Sequence, residues 1–442
     1  MRTSILAALF GVALLPLSAL ADDLDLRLQK LDEAVSRQAE TINSQQKTIE
    51  EMKEMLKVGK AAEAPVAVDV STKTSGFFGG SLMNNPYISV ILDSKVYVSN
   101  LNNDQLASRG VPGYTTEGSE LRNNFNVDAA ELLIFAPVDP YFNLYVNIPV
   151  TSDSGAALEE AYFVTTSLPE GLQVKGGRFK SNASRLNSQH PHAWDFAELP
   201  LAYRSFLGPE ALGGENGVQL TWMPSLPVYT LLGFEALQGT NPLLFGDNGN
   251  RGAHAFTSFA RISFDTTDDS TLYLSPWVMF GNTNSSEIVA GFEMHGDSVL
   301  SGMEAVWKWK SGHQKLTLQG EYLHLVQNGN LNDTTAVMPD ESLKRHQDGA
   351  YIQAIYGYDR WGFGARYDRM EVFADTFKQG GTQQSFGGKP WRASAMLEYN
   401  FTEFSRIRAQ FNHDCSDPGG LVNNEGILQL TFAIGAHGAH PF

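Results

Sequence analysis

The sequence predicts an all-β protein: a 16-stranded antiparallel transmembrane β-barrel with an N-terminal periplasmic α-helical coiled coil. Three observations predict it. From Phe77 to Phe442 apolar and polar residues alternate with a period of two, the signature of a sheet with two unlike faces. The connections between the alternating stretches are by turns short and long. The first 21 residues read as an export signal, and no later stretch offers about 18 consecutive apolar residues, so a membrane helix is not expected.

In chain order, Arg2 supplies the positive start of the signal, Ile5 to Leu17 its apolar stretch, and Ala19-Leu20-Ala21 a small-x-small cleavage site. Residues 22–58 then carry Leu24, Leu28, Leu31, Val35, Gln38, Ile42, Gln45, Ile49, Met52 and Leu56 at strict 4-3 spacing between mostly charged and polar residues. That is a coiled-coil seam, and Gln at two core layers sets register at some cost in stability. An amphipathic helix lying on another surface is the alternative. Residues 59–76, with Pro65 and many small residues, read as a linker, leaving 77–442 for the barrel.

Strands are expected at about 87–98, 121–136, 141–150, 158–166, 171–180, 216–224, 227–238 and 253–265, and again at about 270–282, 299–310, 313–327, 348–358, 360–372, 391–401, 404–414 and 426–436. The stretch 391–401 shows the rule best: Ala393, Ala395, Leu397, Tyr399 and Phe401 alternate with Arg392, Ser394, Met396, Glu398 and Asn400. In a soluble sandwich the charged face would meet water; in a membrane barrel it lines the lumen. The connections decide for the barrel, because short turns such as Pro137-Val138-Asp139-Pro140, Ser311-Gly312 and Asp359 alternate with loops rich in Gly, Asn, Asp and Ser. Trp222, Trp307, Trp309, Trp361, Phe401 and Phe404 cluster beside the short turns, where an interfacial girdle would lie. Strand parity puts both chain ends on the short-turn side.

Composition sets the exclusions. One Cys rules out a disulfide framework. A net charge of -17, from 32 Lys+Arg against 49 Asp+Glu, argues against nucleic acid as a partner. No GxSxG occurs and no Ser stands at a motif spacing from a His, so an enzyme is not expected. Cys415, next to His413 and Asp414, reads as a lone unreactive thiol.

The export signal, coiled coil, sixteen strands and Gly177-Arg178-Phe179 resemble the Gram-negative outer-membrane porins related to the phosphate-selective O and P type. Leu168 to Leu172 (LPEGL), Gln189 to Phe196 (QHPHAWDF), Gly217 to Trp222 (GVQLTW) and Gly435 to Phe442 (GAHGAHPF) resemble more closely a group labelled zinc-regulated, TonB-dependent outer-membrane receptors. The resemblance covers nearly the whole mature chain. It implies a passage in the outer membrane for small solutes or ions, lipid around the barrel and a homotrimer. TonB engagement is not expected, because such transporters enclose a plug in a 22-stranded barrel and this chain has residues for about sixteen strands. A receptor for zinc or a metal complex, or an anchor of the outer membrane, are the alternative functions.

The longest connection, about 181–215, is the third external loop, and the resemblance implies that it folds into the lumen as the constriction. Its many apolar groups argue for packing on the wall. Asp195, Glu198 and Arg204 are its candidate constriction residues, and Arg366, Arg392, Arg406 and Arg408 are inward-facing by parity on the opposite strands. Acidic loop against basic wall would set a transverse field of the kind that sorts ions. His190 and His192 are the candidate metal ligands, with zinc the candidate ion, since imidazole suits that metal although the spacing matches no zinc signature. A second pair, His437 and His440, stands at the far end of the chain. No other cofactor is expected.

Overall fold

A computed structural model describes residues 86–110, 122–151, 155–209, 211–246, 252–285, 288, 289, 291–335, 339–384 and 388–435. The predicted signal, coiled coil and linker lie outside the described residues, as do Glu210, His437 and His440.

Sixteen long strands form the wall. β1 spans Tyr87–Ser99, β2 Asn124–Pro137, β3 Phe142–Thr151 and β4 Glu160–Thr165. Next come β5 (Leu172–Lys180), β6 (Gly214–Trp222), β7 (Tyr229–Leu237) and β8 (Ala255–Thr267). The longest follow: β9 (Ser270–Ser285), β10 (Phe292–Ser311), β11 (Gln314–Asp333) and β12 (Glu341–Tyr358). The last are β13 (Trp361–Gln379), β14 (Trp391–Thr402), β15 (Ser405–Cys415) and β16 (Asn423–Gly435). Each pairs antiparallel with the next, and β1 pairs with β16 from Ser89 opposite Gly435 to Ser99 opposite Glu425, so the sheet closes and leaves no edge. Two-residue ladders at Gly155–Ala156 and Thr382–Gln383 extend the loops.

The wall is uneven in length. β3 to β7 run 6 to 10 residues, whereas β9 to β13 run 16 to 20. All five of the long strands exceed their sequence-based bounds: β9 ends at Ser285 rather than 282, β10 begins at Phe292 rather than 299, β11 ends at Asp333 rather than 327, β12 begins at Glu341 rather than 348, and β13 ends at Gln379 rather than 372. Beyond the outer belt the alternation loses its apolar half, so period alone does not mark these ends. Their inward residues Phe292, Met294, Leu331, Leu343 and Phe377 instead form a small buried cluster with Ile288.

The faces are inverted relative to a soluble protein. On β13 the outward Trp361, Phe363 and Tyr367 are exposed, while the inward Arg366 and Asp368 are buried. On β14 to β16 the outward Leu397, Phe401, Phe411, Leu428 and Phe432 are exposed, while Arg392, Arg408, Asn412 and Gln429 are buried. Trp222, Trp361, Phe401 and Phe404 form exposed parts of the predicted aromatic band beside the short turns. An apolar exterior over a polar interior is stable only where the surroundings are apolar.

Candidate functional site

The candidate site is the lumen and the loop that enters it, residues 181–213. Prolines and a glycine shape this loop. Pro191 opens a single 3-10 turn (Pro191–Ala193), Pro200 precedes helix α2 (Leu201–Leu207), and Gly208 at φ +97° ends it. A shorter helix, α1 (Asn103–Ser108), lies in the first loop and is capped reciprocally by Asn102 and Gln105.

Apolar burial holds the loop inside. Leu186, Trp194, Leu199, Leu201, Tyr203 and Phe206 pack with the inward Phe259, Trp277, Leu300, Leu323, Leu325, Tyr351 and Met370. Burying a side chain of this size contributes about 1.5–3 kcal/mol, which offsets the cost of about 1–2 kcal/mol for ordering the backbone of that same residue. Gly349 makes the approach feasible, since a Cβ there would stand 2.9 Å from the Cβ of Ala202. The gap left among Trp194, Phe196, Tyr351 and Arg366 measures about 10 Å³, room for about one water.

Polar seams then fix the position. At the start of the loop, Ser181 Oγ and the Asn182 N–H donate to Glu235 at 2.5 and 2.8 Å. Arg185 donates to Glu304 Oε1 at 3.2 Å and to Gln319 Oε1 at 2.7 Å, and Glu304 in turn stands in register with Glu321. Glu321 is capped by neutral donors, the Tyr203 hydroxyl at 2.6 Å and the Trp277 indole N–H at 2.8 Å. Although Arg185 is buried, which disfavours its charge, the carboxylates of Glu304 and Asp195 outweigh burial and raise its pKa.

The predicted constriction residues are brought together closely. Arg392 donates to Glu198 Oε2 at 3.0 Å, to Asp368 Oδ2 at 3.3 Å and to the Leu199 carbonyl at 2.5 Å. Arg366 bonds Asp368 at 3.2 Å and the Glu198 carbonyl at 2.9 Å. Arg408 holds Glu398 at 2.7 Å, and Arg406 donates to the His192 carbonyl at 2.7 Å. Asp195 accepts from Gln353 at 2.8 Å. Arg204 sits half-buried on α2 and makes no ion pair among the described residues; its carbonyl accepts the Gly208 N–H at 3.1 Å. Loop carboxylate and wall arginine are therefore in direct contact at Glu198 and Arg392.

The predicted metal ligands sit farther round the wall, against β2 and the start of β4, with the His192 carbonyl still held by Arg406. His190 and His192 stack with centroids 5.7 Å apart and planes at 5°. His190 Nδ1 lies 3.1 Å from Glu159 Oε2 and its Nε2 lies 2.9 Å from Glu160 Oε2; His192 Nδ1 lies 3.0 Å from Glu131 Oε1. Burial pushes the His190 imidazole pKa down, but its hydrogen bonds to Glu159 and Glu160 outweigh that and raise it to about 9. Glu159 is correspondingly held down to about 2, burial being overcome by Lys180 and His190. His190 is then a cation at neutral pH with both ring nitrogens protonated, which leaves no lone pair for a metal. Among the described residues no group of three or more His, Cys, Asp or Glu is arranged to hold a metal ion.

Sequence reasoning missed the partners: Glu131, Glu159, Glu160, Glu304, Glu321 and Asn412. Strand parity was the available signal, since a carboxylate at an inward position needs a partner.

No family model matches the chain. Among solved structures, the anion-selective porin from Comamonas acidovorans superposes with a TM-score of 0.50 at 11% identity, covering 79% of this chain and all (100%) of that one. The outer membrane channel DcaP of Acinetobacter baumannii gives 0.48 at 13% identity over 79% of this chain and 96% of that one. At such identity the first likeness shows a shared barrel fold. A protein of Aquifex aeolicus (strain VF5), described only as an uncharacterized protein, is 36% identical over 383 residues, which is 81% of this chain and 80% of that protein. On that identity and coverage, the chain belongs to the same family as the uncharacterized Aquifex aeolicus protein.

Proposed function

We propose that the protein is an outer-membrane porin through which small hydrophilic solutes or ions diffuse, with its lumen narrowed by the loop 181–213. One observation carries this reading: the closed barrel exposes apolar side chains on its outside and gathers charged and amide side chains inside, where a long loop is seated on the wall. Such a surface suits lipid outside and solute inside. The coiled coil of residues 22–58 would stand in the periplasm and favour a homotrimer. A receptor for zinc or a metal complex at His190 and His192 is the weaker reading, because Glu159 and Glu160 already occupy both nitrogens of His190.

Planar-bilayer recording tests the proposal. Purified full-length protein should add discrete conductance steps, grouped in threes if the assembly is a trimer. Protein that inserts into the bilayer yet yields no steps refutes a diffusion channel and leaves the anchor reading.

A further inference from the structure

The seated loop meets the wall all the way round. Gln219 on β6, Arg261 on β8, Gln353 on β12, Asn412 on β15 and Asn147 on β3 each bond it, and Ala197 shares a buried cluster with Tyr97 on β1 and Ile427 on β16. None of residues 181–208 is exposed; each is buried or half-buried. The inward Asp93, Arg408 and Gln429, whose hydrogen bonds run to other wall residues, are buried as well. Nearer the short turns the inward Lys310 and Lys315 are exposed, so solvent enters that mouth and is stopped at the level of the loop. Among the described residues the loop fills the cross-section rather than framing a hole in it.

The seat is of two kinds. From β8 to β13 it is largely apolar, with Leu186, Tyr203 and Phe206 packed among Phe259, Trp277 and Tyr351. Helix α2 lies against β12 and β13, and the Phe196 ring centre stands 4.6 Å from the Arg366 guanidinium on β13. From β15 round to β4 the seat is polar. Arg406 donates to the His192 carbonyl and the Ala197 N–H donates to Gln410, both at 2.7 Å. His192 meets Glu131 at 3.0 Å, and His190 meets Asn147 at 2.8 Å, Glu159 at 3.1 Å and Glu160 at 2.9 Å. Ala197 supplies the apolar contact of this arc. The two kinds part differently. Polar groups drawn apart regain water, and the hydration recovered by three buried carboxylates offsets much of the contact they lose. An apolar side chain drawn out of its cluster recovers nothing. The latching segment also holds no regular structure beyond the single turn Pro191–Ala193, so moving it breaks no helix.

We propose that the loop is a gate and that the fold described above is its closed state: the loop stays anchored on the apolar β8–β13 wall, swings off the arc from β15 to β4, and lets solute pass along the arc it uncovers. His190 and His192 are the latch, and Glu131, Glu159 and Glu160 are the catch. This rests on the channel reading above and adds to it the step that opens the passage. A loop with one apolar and one polar edge has a built-in direction of movement, since the edge that water can replace is the edge that lets go.

The test is planar-bilayer recording of full-length protein in a Cys415→Ser background, with folding of each variant checked by its shift on an unheated gel. The parent should open briefly and rarely. Glu131→Cys/His192→Cys removes one latch contact and should lengthen the openings, raising the mean current per inserted protein about tenfold or more. A short reagent that bridges the two thiols through disulfides should then silence the channel, and reduction should restore it. His190→Gln/Glu160→Gln should lengthen the openings likewise, and it serves if the Cys pair fails to assemble. A parent that stays open at steady conductance, a folded latch variant with unchanged openings, or a bridged protein that still conducts overturns the gate while leaving the channel standing. Absence of any step from parent and latch variants alike overturns the channel reading and the gate with it.

Discussion

Replacing Arg392 with Met would test whether ion pairs seat the loop. The Arg392 side chain is fully buried and joins Glu198 at 3.0 Å, Asp368 at 3.3 Å and the Leu199 carbonyl. Removing one partner of a buried pair costs about 3–5 kcal/mol, because the other charge is left without compensation. Asp368 keeps Arg366 at 3.2 Å and Glu198 keeps Asn412 at 2.8 Å, so the lower end applies, about 3 kcal/mol. If that cost falls on the seated state, the population of unseated loop rises roughly 150-fold at 1.36 kcal/mol per decade. The reporter is Ser205, on α2 and fully buried, changed to Cys in a Cys415→Ser background. Labelling of Ser205→Cys by a soluble maleimide then reads loop release directly. The rate should rise about 100-fold or more with Arg392→Met, and by much less when Glu198→Gln is already present. A rise below about tenfold, or the same rise in both backgrounds, refutes the idea that this ion pair seats the loop.

Two further outcomes follow from the geometry. His190 has a pKa raised to about 9, so its contribution is fully present below its ordinary value near 6.5 and is lost as the pH climbs through about 9; the barrel's heat stability on gels should step down there, and His190→Gln should flatten the step. Gly233→Ala would place a Cβ 2.0 Å from the Phe259 ring, and overpacking of that kind costs about 1–3 kcal/mol; the folded fraction on unheated gels should fall, with Phe259→Leu restoring part of it, whereas an unchanged fraction would show that the ring moves freely.

The barrel was legible because a period of two survives wherever one face meets apolar surroundings. Arg392, Ser394, Met396 and Glu398 read inward from sequence and stand inward in the fold. The upper ends of β10, β12 and β13 were not legible. In Glu341 to His346, for instance, the outward Lys344 and His346 are as polar as the inward Arg345, so no contrast marks a strand. The loop's composition announced burial, yet its partners could not be read. Glu131 meets His192 across 61 positions and Glu321 meets Tyr203 across 118, and only the register of a closed sheet brings them together. The arginines show the same limit from the other direction, because parity gave their direction but not the carboxylates they would meet.

The loop's points of attachment also bear on the order of assembly. It touches Glu131 on β2 and Gln410 on β15, strands that become near neighbours only through the pairing of β1 with β16. A nascent wall still missing that last seam offers half a seat, so the loop can lock completely only in a finished ring. It works as a keystone: folding intermediates before closure should have the loop accessible to protease, and its protection should arrive in the same kinetic step as closure of the sheet.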